Sequence, residues 1–272
     1  MEENIKASFK QLVSELVSKK LEQYEELYIQ REKDRFILPL RPIVMSGDDI
    51  TFVCEGRLGI YLAKKWVEIL INKPVLGKKV SYCAGVCVAN TNFPFQRAYK
   101  LAEEACKNAK IKVRDLQRKD ENIIKEELNW IDFHIQYGGY GGELVELRKQ
   151  FFAMGGNLIA RPYQIGGNES NSLHTLIEDT TVLKEYPTSI QHELREVLWK
   201  NQSDRNNYLQ FNKTRKSSID FEHFKFNKKY DPNSLFKNDS ADNIDENNDN
   251  KTHFFDMIEL AEFYPWFLES GK

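Results

Sequence analysis

The sequence is short of the features that would set it apart from an ordinary globular chain. Its four cysteines, at 54, 83, 87 and 106 of 272 residues, form no Cys-x-x-Cys pair. That excludes a disulfide-framework domain and argues against structural zinc, and Cys83 and Cys87 are expected to pack as small hydrophobes. No apolar run nears the ~20 residues that cross a bilayer, and no signal-peptide pattern is present. A cytoplasmic chain without membrane contact is expected. Neither charge sign is in excess: 39 basic and 41 acidic residues leave a net charge of −2. A surface coated with nucleic acid throughout is therefore not expected, although a local basic groove stays open. No internal repeat is visible.

What the chain does contain is 41% hydrophobic and 29% charged residues, enough for a sizeable core under a solvated surface. Its length suits one large or two small domains. Ile5, Phe9, Leu12, Val13, Leu16, Leu21, Tyr24, Leu27 and Tyr28 follow a helical spacing and predict one helix over 4–33. A second helix is expected over 57–72. Residues 79–89 alternate as a strand, with Ser81, Cys83, Gly85 and Cys87 forming a small face suited to close packing under a helix. Pro94 opens a third helix, which should end near Lys110, and the charged stretch 110–127 reads as a surface excursion. Strands are expected over 130–137 and 157–163, with a short helix near 143–152 between them. His134, within an apolar strand, is expected to be packed or hydrogen-bonded rather than catalytic.

The later part of the chain reads as helical, over 171–185, 188–200 and 254–268. The Asn- and Asp-rich stretch 227–252 is expected to be a mobile, disordered loop.

The central feature is Arg41 to Cys54. The runs Ile43-Val44-Met45 and Ile50 to Val53 flank Ser46-Gly47-Asp48-Asp49. Apolar β-formers on both sides of a Gly/Asp turn predict a β-hairpin. Two adjacent carboxylates at its tip would offer the hard oxygen donors that Mg²⁺ or Mn²⁺ takes. Asp and Gly also favour turns for purely local reasons, so the tetrapeptide by itself leaves both readings open.

Three further stretches carry a resemblance. LPLRPIVMSGDDITFV at 38–53, VSYCAGVCVANTNFPFQRAYKLAEEACKNAK at 80–110 and NLIARPY at 157–163 occur in an order that resembles the second palm domain of the large polymerase/cyclase-like subunit of type III CRISPR effector complexes. That family is related to the GGDEF nucleotide cyclases. The resemblance covers residues 1–200, and the helical tail more loosely. It implies an α+β fold: a ferredoxin-like palm over 1–165, then a mainly helical C-terminal domain over 166–272. By the same resemblance Asp48 and Asp49 hold Mg²⁺ or Mn²⁺ as catalytic and metal-binding residues. Ser46 and Gly47 form the nucleotide-binding turn, and Lys110 contacts phosphate. Lysine at a helix C-terminus is also favoured by the helix dipole. Arg161 is offered as either a phosphate contact or a structural residue.

The implied activity converts ATP to a cyclic oligonucleotide second messenger in antiviral defence. The implied partners are another palm-containing chain or effector-complex subunits, and guide or target RNA indirectly. Two departures stand out. Ser46 replaces the first Gly of the family's GGDD turn, and the palm's opening strand, with its further metal-ligand carboxylate, has no counterpart before the first helix. Its lack would leave the strands around 50–54 and 80–88 without a shared neighbour. The alternatives are an inactive palm serving as scaffold or nucleotide sensor in a ribonucleoprotein complex, and, last, an RRM-like RNA binder.

Overall fold

The computed structural model describes residues 2–19, 31–32, 35–46, 49–74, 79–120, 128–139, 141–167, 171–215, 218–226, 234–237 and 250–269. The chain is mixed α+β, with helices and several small sheets. It divides by contact into two compact units, residues 1–138 with 263–272 and residues 139–262. The contact boundary lies at Gly138-Gly139; the sequence reading placed a domain boundary near residue 165. Among the described residues no helix is long and apolar enough to cross a membrane.

The first unit begins with α1 (Glu2–Ser18), where Ile5, Phe9, Leu12 and Leu16 form the buried stripe. The single helix expected over 4–33 is corrected: α1 ends at Ser18, whose hydroxyl donates back to the Glu15 carbonyl at 2.6 Å. Residues 31–36 hold two short antiparallel strands instead, β1 (Arg31–Glu32) and β2 (Arg35–Phe36). Residues 20–30 lie outside the described set. The expected hairpin is present as β3 (Leu40–Ser46) and β4 (Asp49–Cys54), with Ser46 paired opposite Asp49. The register shifts between Pro42 and Val44, so Ile43 is the extra residue of a bulge. Proline lacks the amide a ladder needs, and a bulge is where a strand tolerates it.

Next comes α2 (Leu58–Ile71), whose start is tied by the Glu55 carboxylate accepting the Arg57 amide at 2.9 Å. β5 (Cys83–Ala89) follows, then α3 (Phe95–Lys119) and β6 (Trp130–Gln136), which pairs in parallel with β5. The strand expected from residue 79 begins only at Cys83. Helix α3 runs nine residues past Lys110, correcting the expected surface excursion. Val113 and Leu116 continue the stripe of Leu101, Ala105 and Ala109, and pack against Leu128 and Trp130. The many charges there lie on the helix's other face.

The strands of this unit are layered between helices. α1 packs on α2, and α2 packs on β4 and β5. α3 packs on β5 and β6. The alternation of β5 assigns its faces. A Cβ at Gly85 would lie 2.0 Å from the Ala102 carbonyl oxygen and 2.3 Å from the Cys106 nitrogen, both in α3. Only glycine lets the helix backbone come so near, as the small face of the sequence suggested. Val86 and Val88 point the other way and meet Gly59 and Gly56, at or just before the start of α2.

The second unit contains α4 (Leu144–Lys149), the small hairpin β7 (Phe152–Ala153) and β8 (Gly156–Asn157), and β9 (Tyr163–Gln164). Then come α5 (Leu173–Lys184), α6 (Thr188–Val197) and α7 (Gln202–Thr214). Helix α8 (Phe254–Phe263) follows, while α9 (Trp266–Glu269) belongs to the first unit. The continuous strand expected over 157–163 is corrected. The Asn157 side chain accepts the Ile159 amide at 3.1 Å and Asp256 accepts the Ala160 amide at 2.8 Å, so side chains take the hydrogen bonds a neighbouring strand would need. The loop expected over 227–252 is corrected where it is described: Ser234, Leu235, Phe236, Asn250 and Thr252 are buried. Residues 227–233 and 238–249 lie outside the described set.

Candidate functional site

The candidate site lies where β4 begins. Asp49 is the first residue of that strand and is exposed. β-branched Ile50, Thr51 and Val53 extend the backbone behind it, and Phe52 reaches the Phe9 ring of α1 with centroids 6.3 Å apart. One described carboxylate is therefore held on a packed hairpin arm. Gly47, Asp48 and the Ser46 side chain lie outside the described set.

Helix α3 carries the cation that the sequence reading singled out. Lys110 is exposed and sits well inside α3, so the helix-end explanation of its charge does not apply. Both Lys110 and Asp49 bear on one thiol, that of Cys106. Burial pushes the Cys106 pKa up from its ordinary value; Lys110 pulls it down, while Asp49, Asp132 and Glu103 add to the rise. Lys110 also bears on Cys83, which burial raises to about 11. Opposite charges from β4 and α3 thus both act on one thiol. Among the described residues, neither Asp49 nor Lys110 is held by a hydrogen bond or an ion pair.

The donor chemistry fits a hard divalent cation. A carboxylate at the surface, next in sequence to Asp48, supplies oxygen ligands of the kind Mg²⁺ and Mn²⁺ prefer. The thiols are poor rivals, because burial raises Cys54 and Cys87 to about 12 and keeps them neutral at ordinary pH. Among the described residues no three His, Cys, Asp or Glu side chains converge as a preformed cluster.

Asp132 and Asn108 escaped the sequence reading. Asp132 lies on β6 opposite Gly85, is fully buried, and accepts from Asn108 Nδ2 at 2.6 Å. A signal was available: the alternation of Trp130 to Gln136 places Asp132, His134 and Gln136 on one face of a buried strand. His134 is buried, with Nε2 3.1 Å from Gln136 Oε1, as expected of a packed histidine.

Arg161 belongs to a different environment. It is buried in the second unit and donates from Nε to Asp256 Oδ1 at 2.9 Å and from Nη2 to the Glu259 carboxylate. The Tyr163 hydroxyl donates to Asp256 Oδ2 at 2.6 Å and lies 3.0 Å from His253 Nδ1. Of the two readings of Arg161, the structure supports the structural one.

Compared with models of known protein families and with curated proteins, the chain matches none.

Proposed function

We propose that the first unit is a ferredoxin-like palm and that the chain is a metal-dependent nucleotidyltransferase or cyclase acting on ATP. The observation that carries this reading is that Asp49, at the start of β4, and Lys110, on α3, are both exposed and both act electrostatically on the Cys106 thiol. A metal-binding carboxylate and a phosphate-binding cation are the two charges a triphosphate requires. The hairpin β3–β4 with α1 and α2 packed together, and β5 behind them, supports the palm assignment.

In this reading Asp48 and Asp49 would hold Mg²⁺ or Mn²⁺, and the bound metal would supply Lewis-acid chemistry at the α-phosphate and positive charge for the pyrophosphate. Lys110 holds the phosphate chain by charge. By the resemblance, Ser46 and Gly47 are the nucleotide-binding residues of this reading. The product expected from the resemblance is a cyclic oligonucleotide made in a CRISPR-type defence complex, with a second palm presenting the other nucleotide.

A specific observation favours the second reading, an inactive palm that scaffolds a ribonucleoprotein or senses nucleotide. β3–β4 and β5–β6 belong to separate sheets, so no strand joins β4 to β5 among the described residues. An RRM-like binder ranks last. Such a domain stacks bases on aromatics exposed on its sheet, whereas one face of β5 carries Cys83, Gly85 and Cys87.

Calorimetry decides between the first two. ATP titrated with Mn²⁺ should bind the folded chain and fail to bind Asp49→Ala of unchanged circular dichroism, and chromatography should then detect a nucleotide product. Mn²⁺-dependent binding without product supports the sensor. No binding by the folded wild-type chain sinks both nucleotide readings and leaves the scaffold.

A further inference from the structure

Helix α3 changes character along its length. From Phe95 to Cys106 its charges balance: Arg97 and Lys100 stand with Glu103 and Glu104, and Lys100 lies 3.6 Å from Glu104. From Lys107 to Lys119 it carries Lys107, Lys110, Lys112, Arg114, Arg118 and Lys119 against a single acid, Asp115. The buried stripe that packs on β5 and β6 runs through both halves as Leu101, Ala105, Ala109 and Val113, so packing does not call for the change. The helix dipole accounts only for the cations of the last turn, Arg118 and Lys119.

Lys107, Lys110, Arg114 and Arg118 follow i, i+3, i+7 and i+11, the spacing that keeps side chains on one side of a helix. The file runs about 16 Å at the helical rise. All four side chains are exposed. Lys110 and Arg114 have no hydrogen bond or ion pair among the described residues. Lys107 lies 3.8 Å from Glu103 and Arg118 3.4 Å from Asp115, loose surface pairs that a phosphate can displace. Lys112 stands apart, with Nζ 5.6 Å from the centre of the Trp130 ring. One large apolar side chain is exposed among these cations: Ile111, 52% exposed and about one turn from both Lys107 and Arg114.

We propose that this face of α3 binds a single-stranded nucleic acid, with the four cations on its phosphates and Ile111 against a base. A file of loosely paired cations complements a repeating anion, and each phosphate bound releases a counterion. An exposed isoleucine can meet the face of a base only where that base is unstacked, which favours a single strand over a duplex. A bilayer surface would need an apolar helix face to enter it, and that of α3 is occupied by the sheet. The net charge of −2 excludes binding over the whole surface but leaves room for this local file. The proposal stands apart from the cyclase reading, in which Lys107, Ile111, Arg114 and Arg118 have no part.

Fluorescence anisotropy of a labelled oligouridylate of about twelve nucleotides tests this on the full chain, with a chelator present and salt varied. Affinity should fall with salt, with a log–log slope of about −3 for four phosphate contacts. Arg114→Gln/Arg118→Gln should weaken binding about ten-fold or more at low salt and bring the slope to about −1.5. Arg97→Gln/Lys100→Gln, in the balanced half, should change neither. Ile111→Gln should weaken binding and leave the slope as it is. Every replaced side chain is exposed, and glutamine is a good helix former. Oligodeoxythymidylate assigns the source: equal binding means that either strand is taken, and a preference names one. Four results would overturn the proposal. These are no binding at low salt, a slope unmoved by Arg114→Gln/Arg118→Gln, tighter binding of a duplex of the same length, or equal competition by inorganic polyphosphate with no effect of Ile111→Gln. The assay holds neither metal nor ATP, so its failure leaves the Asp49 site standing, and failure of that site leaves this face standing.

Discussion

Lys110 and Arg161 are both cations that the sequence offers as phosphate contacts, and they end in opposite surroundings. Arg161 is 5% exposed, and its guanidinium is taken up by Asp256 and Glu259. Lys110 stands in water on α3 and, like Asp49, acts on the Cys106 thiol, neither held by a hydrogen bond or ion pair among the described residues. Burial with full pairing builds structure, because a buried charge is tolerated only when its partners are fixed. Exposure with loose pairing leaves charge available to a ligand. Residue type and motif do not distinguish these cases; the neighbours do.

Removing charge from the two places should therefore cost very different things. Arg161→Met leaves Asp256 and Glu259 buried without their cation, and should destabilise the protein by about 3–5 kcal/mol in urea unfolding. Replacing all three with apolar residues of similar size should restore much of that loss. A loss below about 1 kcal/mol for the single variant would mean that the cluster is not the rigid structural group described here.

The same buried cluster should show in the pH dependence. Burial pushes His253 down to about 4, against 6.5 for an ordinary histidine. The unfolded chain then takes up the proton first, so the stability due to neutral His253 is complete above pH 6.5 and is lost as pH falls toward 4. The full range is worth about 3 kcal/mol. Glu259 shifts upward, chiefly by burial, and contributes with the opposite sign. Comparing urea midpoints of the wild type and His253→Asn isolates the histidine: the wild type should lose stability more steeply between pH 6.5 and 4.5. Parallel curves would show that His253 is not held neutral by its surroundings.

The contrast also explains how much the sequence disclosed. The hairpin, α2, β6 and the small face of β5 were legible because each depends on local periodicity, and Gly85 announced the close helix. Helix α7 was missed because its buried face includes Arg205 and Asn212, which a search for apolar stripes passes over. The far end of α3 was missed because charge on one face hid Val113 and Leu116 on the other. The break at 158–162 depends on Asp256, about a hundred positions away, and nothing near Ala160 signals it. The site was half legible: the motif pointed to Asp49 and the resemblance to Lys110, but Asp132 and Cys106 entered only when β6 and α3 were folded together.

The smallest expected effect tests the meeting of Asp49 and Lys110 without using any nucleotide. Both are exposed, so neutralising either should change stability by no more than about 0.5 kcal/mol. Each should nevertheless be felt at Cys106, and with opposite signs. Lys110 favours the thiolate and Asp49 disfavours it. At a pH where the thiolate is a minor form, alkylation rate follows its population. Lys110→Met should slow iodoacetamide labelling of Cys106, read by mass spectrometry of its peptide, and Asp49→Asn should speed it. Each change should be on the order of two-fold, the size expected of one charge acting through mostly aqueous surroundings. Salt should shrink both effects together. If Lys110→Met alters labelling and Asp49→Asn does not, the hairpin does not reach α3, and the carboxylate and the cation belong to separate surfaces. Opposite changes of similar size would place both charges over one thiol, the arrangement that a metal-bound triphosphate would need.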